Sequence, residues 1–302
     1  MIVAAIDVGS NTLRLLIAEV NKGKIVKILH EDRKITRLAE NLIYTHILSD
    51  MAIDRTIRAL KTFKDTCNKF SPHKIKIVAT SAVREAENKS TFLNKASDIG
   101  FDIELIDGTK EGYYTYLGVA SVVDISDKKS VIFDIGGGST EFIYTERNHI
   151  AYINSIEMGV VKIANIFDLN NIIDTHTKDN ICVFIKKQLQ RLDYSLKPEL
   201  LIGTAGTVTT IAAIDLNMDK YDYTLINNYK LEYENVKEIY EKLASMPANK
   251  RLTVKGLESG REDLIIAGTL MVLEILNHFS KNFLIVSDYG LREGLAIAAN
   301  LD

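Results

Sequence analysis

The chain has 302 residues, of which 46% are hydrophobic and 25% charged, and a net charge of −3. That length suits two domains and that composition an ordinary globular protein, while the weak negative charge speaks against a general electrostatic affinity for nucleic acid or an anionic membrane. Two cysteines, Cys67 and Cys182, with no Cys-x-x-Cys pair, fit a reducing cytoplasmic setting with both thiols in the core, and the scattered histidines argue against a histidine metal site. No apolar run reaches the ~18 residues of a membrane span, and the N-terminus lacks the basic segment and cleavage site of an export signal.

In chain order, short runs rich in Ile, Val and Leu predict strands over 1–6, 13–20, 24–30, 75–80 and 102–106. Between them Ile53, Ile57, Leu60, Phe63 and Cys67 recur at helical spacing and predict an amphipathic helix over about 50–69. Ala79 to Asn88 reads as a strand end entering a helix whose first turn carries hydroxyls and N–H groups, and a helix over about 110–123 follows Asp107-Gly108-Thr109. The second half repeats the order. Strands are expected near 130–134, 140–146, 149–156 and 200–202, helices near 159–168 and 178–195, and a Gly/Thr turn opens a helix at 203–213. A long helix over 262–279 shows apolar residues on one face, and a strand at 283–286 leads into a short terminal helix.

Two segments share one design: an apolar run, an acid, a Gly/Ser/Thr turn and a second apolar run. The first centres on Asp7-Val-Gly9-Ser10-Asn11-Thr12-Leu-Arg14, the second on Asp134-Ile-Gly136-Gly137-Gly138-Ser139-Thr140-Glu141. Strands on both sides of the turn distinguish it from a P-loop or dinucleotide fingerprint, which lead into a helix. Glycine permits close approach, successive N–H groups form an anion nest, and a neighbouring acid tolerates a phosphate when a hard cation such as Mg²⁺ lies between them. Two β-β-β-α-β-α halves led by such hairpins describe an α/β fold, the duplicated actin, hexokinase and Hsp70-like (ribonuclease H-like) arrangement with an interdomain cleft. The expected domains are 1–116, completed by about 291–302, and 117–290.

At the level of motifs the chain resembles the exopolyphosphatase and guanosine pentaphosphate phosphohydrolase family, Ppx/GppA. The matching residues are Asp7 to Ile17, Ala79 to Asn88, Lys110-Glu111-Gly112 through Tyr116 to Val119, Asp134 to Phe142, Gly206 to Ile211, and Ser287 to Gly294. The resemblance implies that Glu111 is the catalytic base; a glutamate in a first helical turn could also simply offset the macrodipole. It implies Mg²⁺ ligation by Asp134 and Glu141 with Asp7 as partner; a turn cap and a solvent-facing strand residue are the plainer readings. Phosphate contacts are expected from Ser10, Asn11, Thr12, Gly136, Gly137, Gly138, Ser139, Thr140 and Ser81, with Arg14 and Arg84 as clamps. The segment carrying Gly203, Gly206 and Thr207, and also Arg261, would meet a nucleoside, although the same glycines could only start a helix. Arg292 lies within the last motif. One departure is Tyr113, where many relatives have arginine.

The implied activity is cytoplasmic Mg²⁺-dependent removal of the terminal phosphate from inorganic polyphosphate, guanosine pentaphosphate or both, the nucleotide more slowly. No nucleic acid or membrane partner is expected, and a homodimer that extends a polyphosphate groove is compatible with the sequence. The chain stops just after Glu293-Gly294, like the short two-domain members, which predicts low processivity on long polymers. An ATP-dependent kinase of the same superfold and a non-catalytic alarmone sensor are the alternatives; no acceptor signature supports the first, and Glu111 argues against the second.

Overall fold

The computed structural model of the protein describes residues 1–192 and 197–301. Positions 193–195 of the expected 178–195 helix lie outside the described residues. The chain divides into two compact units, one comprising Met1–Ser121 with Tyr289–Asp302 and the other Val122–Asp288.

The first unit runs β1 (Ile2–Val8), β2 (Thr12–Asn21), β3 (Lys24–Ile35), α1 (Leu42–Thr45), α2 (Asp50–Phe70), β4 (Lys74–Ala79), α3 (Ser81–Glu85), α4 (Lys89–Asp98), β5 (Glu104–Leu105) and α5 (Gly108–Ala120). Among the described residues these strands form a five-stranded sheet in the order β3-β2-β1-β4-β5. β1 to β3 pair antiparallel and β1, β4 and β5 pair parallel, so the right-hand part of the sheet delivers its strand ends to one edge. β3 extends past the expected 24–30 because its pairing with β2 continues to Thr12↔Ile35. The 79–88 segment gives the short α3, broken at Ala86, and then a separate α4. The α2 stripe behaves as its spacing requires: Ser49 accepts from the Ala52 N–H as N-cap, and Ile53, Ile57, Leu60, Phe63 and Cys67 are buried.

The second unit runs β6 (Lys129–Ile135), β7 (Thr140–Glu146), β8 (His149–Ile156), α6 (Val160–Ile166), α7 (Thr175–Leu189), β9 (Leu200–Thr204), α8 (Ala205–Asp215), α9 (Tyr223–Ile226), β10 (Lys230–Glu232), α10 (Tyr233–Ala244), α11 (Ala248–Arg251), α12 (Ile265–His278) and β11 (Phe283–Val286). Its six-stranded sheet, among the described residues, has the order β10-β11-β9-β6-β7-β8, with β6, β9 and β11 parallel. This repeats the first unit's plan and adds an antiparallel edge strand, β10. α12 is buried on every side from Ile265 to Leu276, not along one stripe, as an all-round apolar helix must be. Arg251, fully buried, donates to the carbonyls of Leu243, Leu169, Glu262 and Asn171 and so ties three separate segments together.

The chain then returns to the first unit as α13 (Leu291–Leu301), packed on α5. A Cβ at Gly294 would lie 1.7 Å from the Tyr114 carbonyl oxygen, and one at Gly118 would lie 2.1 Å from that of Gly290. Only glycine lets these backbones meet, and the contact fixes the helix that carries Glu111. Of the two cysteines, Cys67 is buried as expected, whereas Cys182 is only half-buried at the rim of the second unit's core. No helix among the described residues is long and apolar enough to cross a membrane.

Candidate functional site

The first unit gathers its motif residues at the carboxyl ends of β1 and β4, the edge where parallel strands of α/β sheets place ligands. The Gly9 N–H donates to the Thr12 carbonyl at 3.2 Å, closing the turn, and Ser10 and Asn11 form its tip. Ser10 Oγ lies 3.1 Å from Ser81 Oγ at the start of α3, both side chains being buried. Three residues along, Arg84 donates from Nη1 to the Ile106 carbonyl at 2.8 Å and approaches Glu111 Oε2 at 3.6 Å. Glu111 itself stands in the first turn of α5, capped by Asp107, whose side chain accepts from the Lys110 N–H. It is only 7% exposed. A glutamate that merely offset the macrodipole would sit in solvent; this one is turned inward beside an arginine. The pairs Ser10–Ser81 and Arg84–Glu111 thus meet α3 at its first residue and one turn on, whereas Tyr113 points outward at 43% exposure.

The second hairpin repeats the turn bond for bond, with Gly136 N–H donating to the Ser139 carbonyl at 3.0 Å. The strand register gives the two hairpins different charge. Asp7 is the cross-strand partner of Arg14, and Asp134 is the partner of Glu141. Directly opposed residues share a face, so the first hairpin presents an acid beside a base and the second two acids. Asp134 is 8% exposed and Glu141 fully buried, with Glu141 Oε1 accepting from Ser155 Oγ at 2.7 Å. Like charges opposed at a buried position are unfavourable without a cation, and two hard carboxylate oxygen donors are what Mg²⁺ takes while keeping most of its water. The residues therefore fit a Mg²⁺ ion. Asp7, grouped with them on sequence grounds, belongs to the other unit and faces an arginine. Among the described residues no three His, Cys, Asp or Glu side chains are grouped so as to hold a metal ion by themselves.

Several motif side chains already have partners within the chain. The Thr140 hydroxyl donates to the Met158 carbonyl, which leaves no proton for an anion. Arg261 is 8% exposed and its Nε donates to Glu258 at 2.9 Å. Arg292 pairs with Glu31 and Glu293. A Cβ at Gly203 would lie 2.7 Å from the Phe133 ring, and the methyl of Thr207 fills the space beside Gly268, so close packing accounts for these two positions. Gly206 opens α8 just after Ala205, whose φ of +69° is left-handed.

The sequence reading missed what supports the second turn from behind. The N–H groups of Val160, Val161 and Lys162 at the start of α6 donate to the carbonyls of Gly136, Gly137 and Gly137 at 3.1, 2.9 and 3.3 Å. Gly159 makes this approach feasible, since a Cβ there would lie 2.2 Å from the Gly137 oxygen. A glycine at the start of the expected 159–168 helix was the only signal.

Fold and site define a two-unit α/β protein of ribonuclease H-like plan with paired glycine hairpins. The chain belongs to the Ppx/GppA phosphatase family, whose model matches residues 16–301. It is 36% identical over 300 residues to a bifunctional 3-dehydroquinate synthase/phosphatase of Fusobacterium nucleatum, covering 94% of this chain but 44% of that protein, so it spans less than half the length of that relative. It is 28% identical to exopolyphosphatase 2 of Mycobacterium tuberculosis, with 98% of each chain covered. Among solved structures, the Aquifex aeolicus Ppx/GppA family member superposes with a TM-score of 0.85 at 31% identity, covering 100% of this chain and 98% of that one. An exopolyphosphatase from Cytophaga hutchinsonii gives 0.90 at 26%, covering 97% and 96%.

Proposed function

We propose that the protein is a Mg²⁺-dependent phosphoanhydride hydrolase that releases the terminal phosphate of inorganic polyphosphate, with guanosine pentaphosphate as a slower substrate. The observation that carries this reading is the inward-facing Glu111 paired with Arg84, whose helix α3 also bears the Ser81 that bonds Ser10, in a chain whose relatives include exopolyphosphatases. Glu111 accepts a hydrogen bond from the attacking water and orients it in line with the terminal phosphorus. The water oxygen forms the new P–O bond as the bridging P–O bond breaks, and the water proton passes to the Glu111 carboxylate. Little proton transfer is needed early in a loose transition state, so placement of the water matters more than basicity. Ser10, Ser81 and the N–H groups of the turn donate to the phosphate oxygens, and the Arg84 guanidinium offsets their charge. Asp134 and Glu141 would hold the cation, which would supply charge neutralisation on phosphate oxygens.

The test is phosphate release by purified protein with Mg²⁺, comparing polyphosphate, guanosine pentaphosphate, and ATP with and without an acceptor. Release from polyphosphate that EDTA abolishes is expected. Turnover confined to ATP plus an acceptor would replace this reading with that of a kinase.

A further inference from the structure

The first turn is held from its carbonyl side by a segment that carries none of the motif residues. The Ala39 N–H donates to the Ser10 carbonyl at 2.9 Å, and the N–H groups of Thr36 and Arg37 donate to the Asn11 carbonyl at 3.0 and 2.9 Å. In a trans peptide the N–H points opposite to the carbonyl of the same unit, and no described peptide bond is cis. Fixing the Ser10 carbonyl on Ala39 therefore aims the Asn11 N–H away from the 36–39 segment, toward the side from which an anion would meet the turn.

The 36–39 segment is in turn anchored from α2. Arg55 Nε donates to the Thr36 carbonyl at 2.5 Å, and Arg55 Nη2 pairs with Glu40 Oε2 at 2.9 Å. Ser49 Oγ donates to Glu40 Oε1 at 3.1 Å and accepts from the Ala52 N–H at 3.2 Å, so the N-cap of α2 is part of the same chain of bonds. The β2–β3 ladder ends at Thr12↔Ile35. The next pair, Asn11 and Thr36, is half made, since the Thr36 N–H donates to the Asn11 carbonyl; its second bond would bring the Asn11 N–H to the Thr36 carbonyl, which Arg55 takes from the side of α2.

We propose that Arg55 is a positioning residue for the turn: by holding the Thr36 carbonyl and Glu40 together it leaves the last rung half made and keeps the Asn11 N–H directed at a bound phosphate. The inference rests on the reading of this turn as a phosphate cradle. A planar fork that bonds a carbonyl and a carboxylate at once is a task for arginine, and one ammonium cannot reproduce it.

The variants are Arg55→Met, Arg55→Lys and Glu40→Gln, the last leaving the Thr36 bond in place. Tripolyphosphate hydrolysis, thermal melting and amide hydrogen exchange are measured on each. Arg55→Met and Arg55→Lys are expected to raise KM by about ten- to a hundredfold, the scale of a small misplacement of binding groups, with kcat less affected. Exchange should rise at 10–12 and 36–39 while β1 and β4 stay protected. Glu40→Gln should shift the same readouts in the same direction by less. A lowered melting temperature with unchanged KM and exchange rising evenly over α2 and the sheet would overturn the proposal, as would no change in any readout. Exchange needs no turnover, so a wild-type protein that released no phosphate would sink the hydrolase reading while the exchange pattern still decided the role of Arg55.

Discussion

Replacing Gly159 with alanine tests whether the second turn needs the backing of α6. Gly159 has φ −131° and ψ 162°, ordinary extended values, so alanine is not strained by its backbone. The cost comes from space alone. The new methyl would lie 2.2 Å from the Gly137 oxygen, 2.3 Å from its carbonyl carbon and 2.4 Å from the Gly138 nitrogen, where ordinary contact begins at 3.4 Å. These are backbone atoms, so the turn must retreat by about 1 Å and stretch the three bonds from Val160, Val161 and Lys162. Overpacking of this kind costs about 1–3 kcal/mol of stability, and a 1 Å misplacement of binding groups can cost about a hundredfold in rate. Urea unfolding and Mg²⁺-dependent phosphate release would be measured on the same preparation. A folded variant with kcat/KM lowered ten- to a hundredfold is expected, on the order set by that displacement. A variant within twofold of wild type in both assays would show that the turn tolerates the methyl and that its backing is incidental.

Asp134→Asn and Glu141→Gln should each raise the Mg²⁺ concentration giving half-maximal rate, because each removes charge from the paired carboxylates; unchanged titrations in both would favour a turn-capping role. Arg251→Met strips partners from four carbonyls around a fully buried side chain, and at about 1–3 kcal/mol for a buried unpaired group should destabilise the protein by about 3 kcal/mol or more in urea unfolding; a loss below about 1 kcal/mol would mean that water or neighbouring groups replace the guanidinium. Desolvation pushes the buried Cys67 thiol from 9.0 up to about 11. The folded state thus holds its proton more tightly than the unfolded chain, so the contribution is complete below pH 9 and is lost as pH rises toward 11, amounting to about 2 kcal/mol. Urea unfolding at intervals across that window should show a steeper fall for wild type than for Cys67→Ala, and parallel curves would refute the assignment.

The hairpins and α2 were legible because their signals are local: an acid before a glycine turn, and apolar residues at helical spacing. The pairing of Asp134 with Glu141 also followed, since the turn folds the strand back on itself. The segment between 217 and 261 was not read, although α10 buries Val236, Ile239, Tyr240 and Leu243 at helical spacing that the sequence does contain. β10 offered less, being three residues that exist only through pairing with β11 some fifty positions later. Apart from Gly159, the supports behind both turns were invisible for a related reason. They are main-chain bonds from distant segments, 36–39 and 160–162, and backbone N–H groups leave no mark in a sequence. Commitments such as Thr140 to the Met158 carbonyl and Arg261 to Glu258 likewise depend on which neighbour folding supplies.

The central claim is that Glu111 orients the attacking water, and Glu111→Gln tests it most directly when phosphate release and polyphosphate binding are measured on one preparation. The amide keeps the shape and the burial but cannot accept the proton. The expected result is a fall in kcat of about 10²- to 10⁴-fold, the usual worth of a general base, with binding nearly unchanged. A variant that keeps more than half of the wild-type kcat would contradict the account.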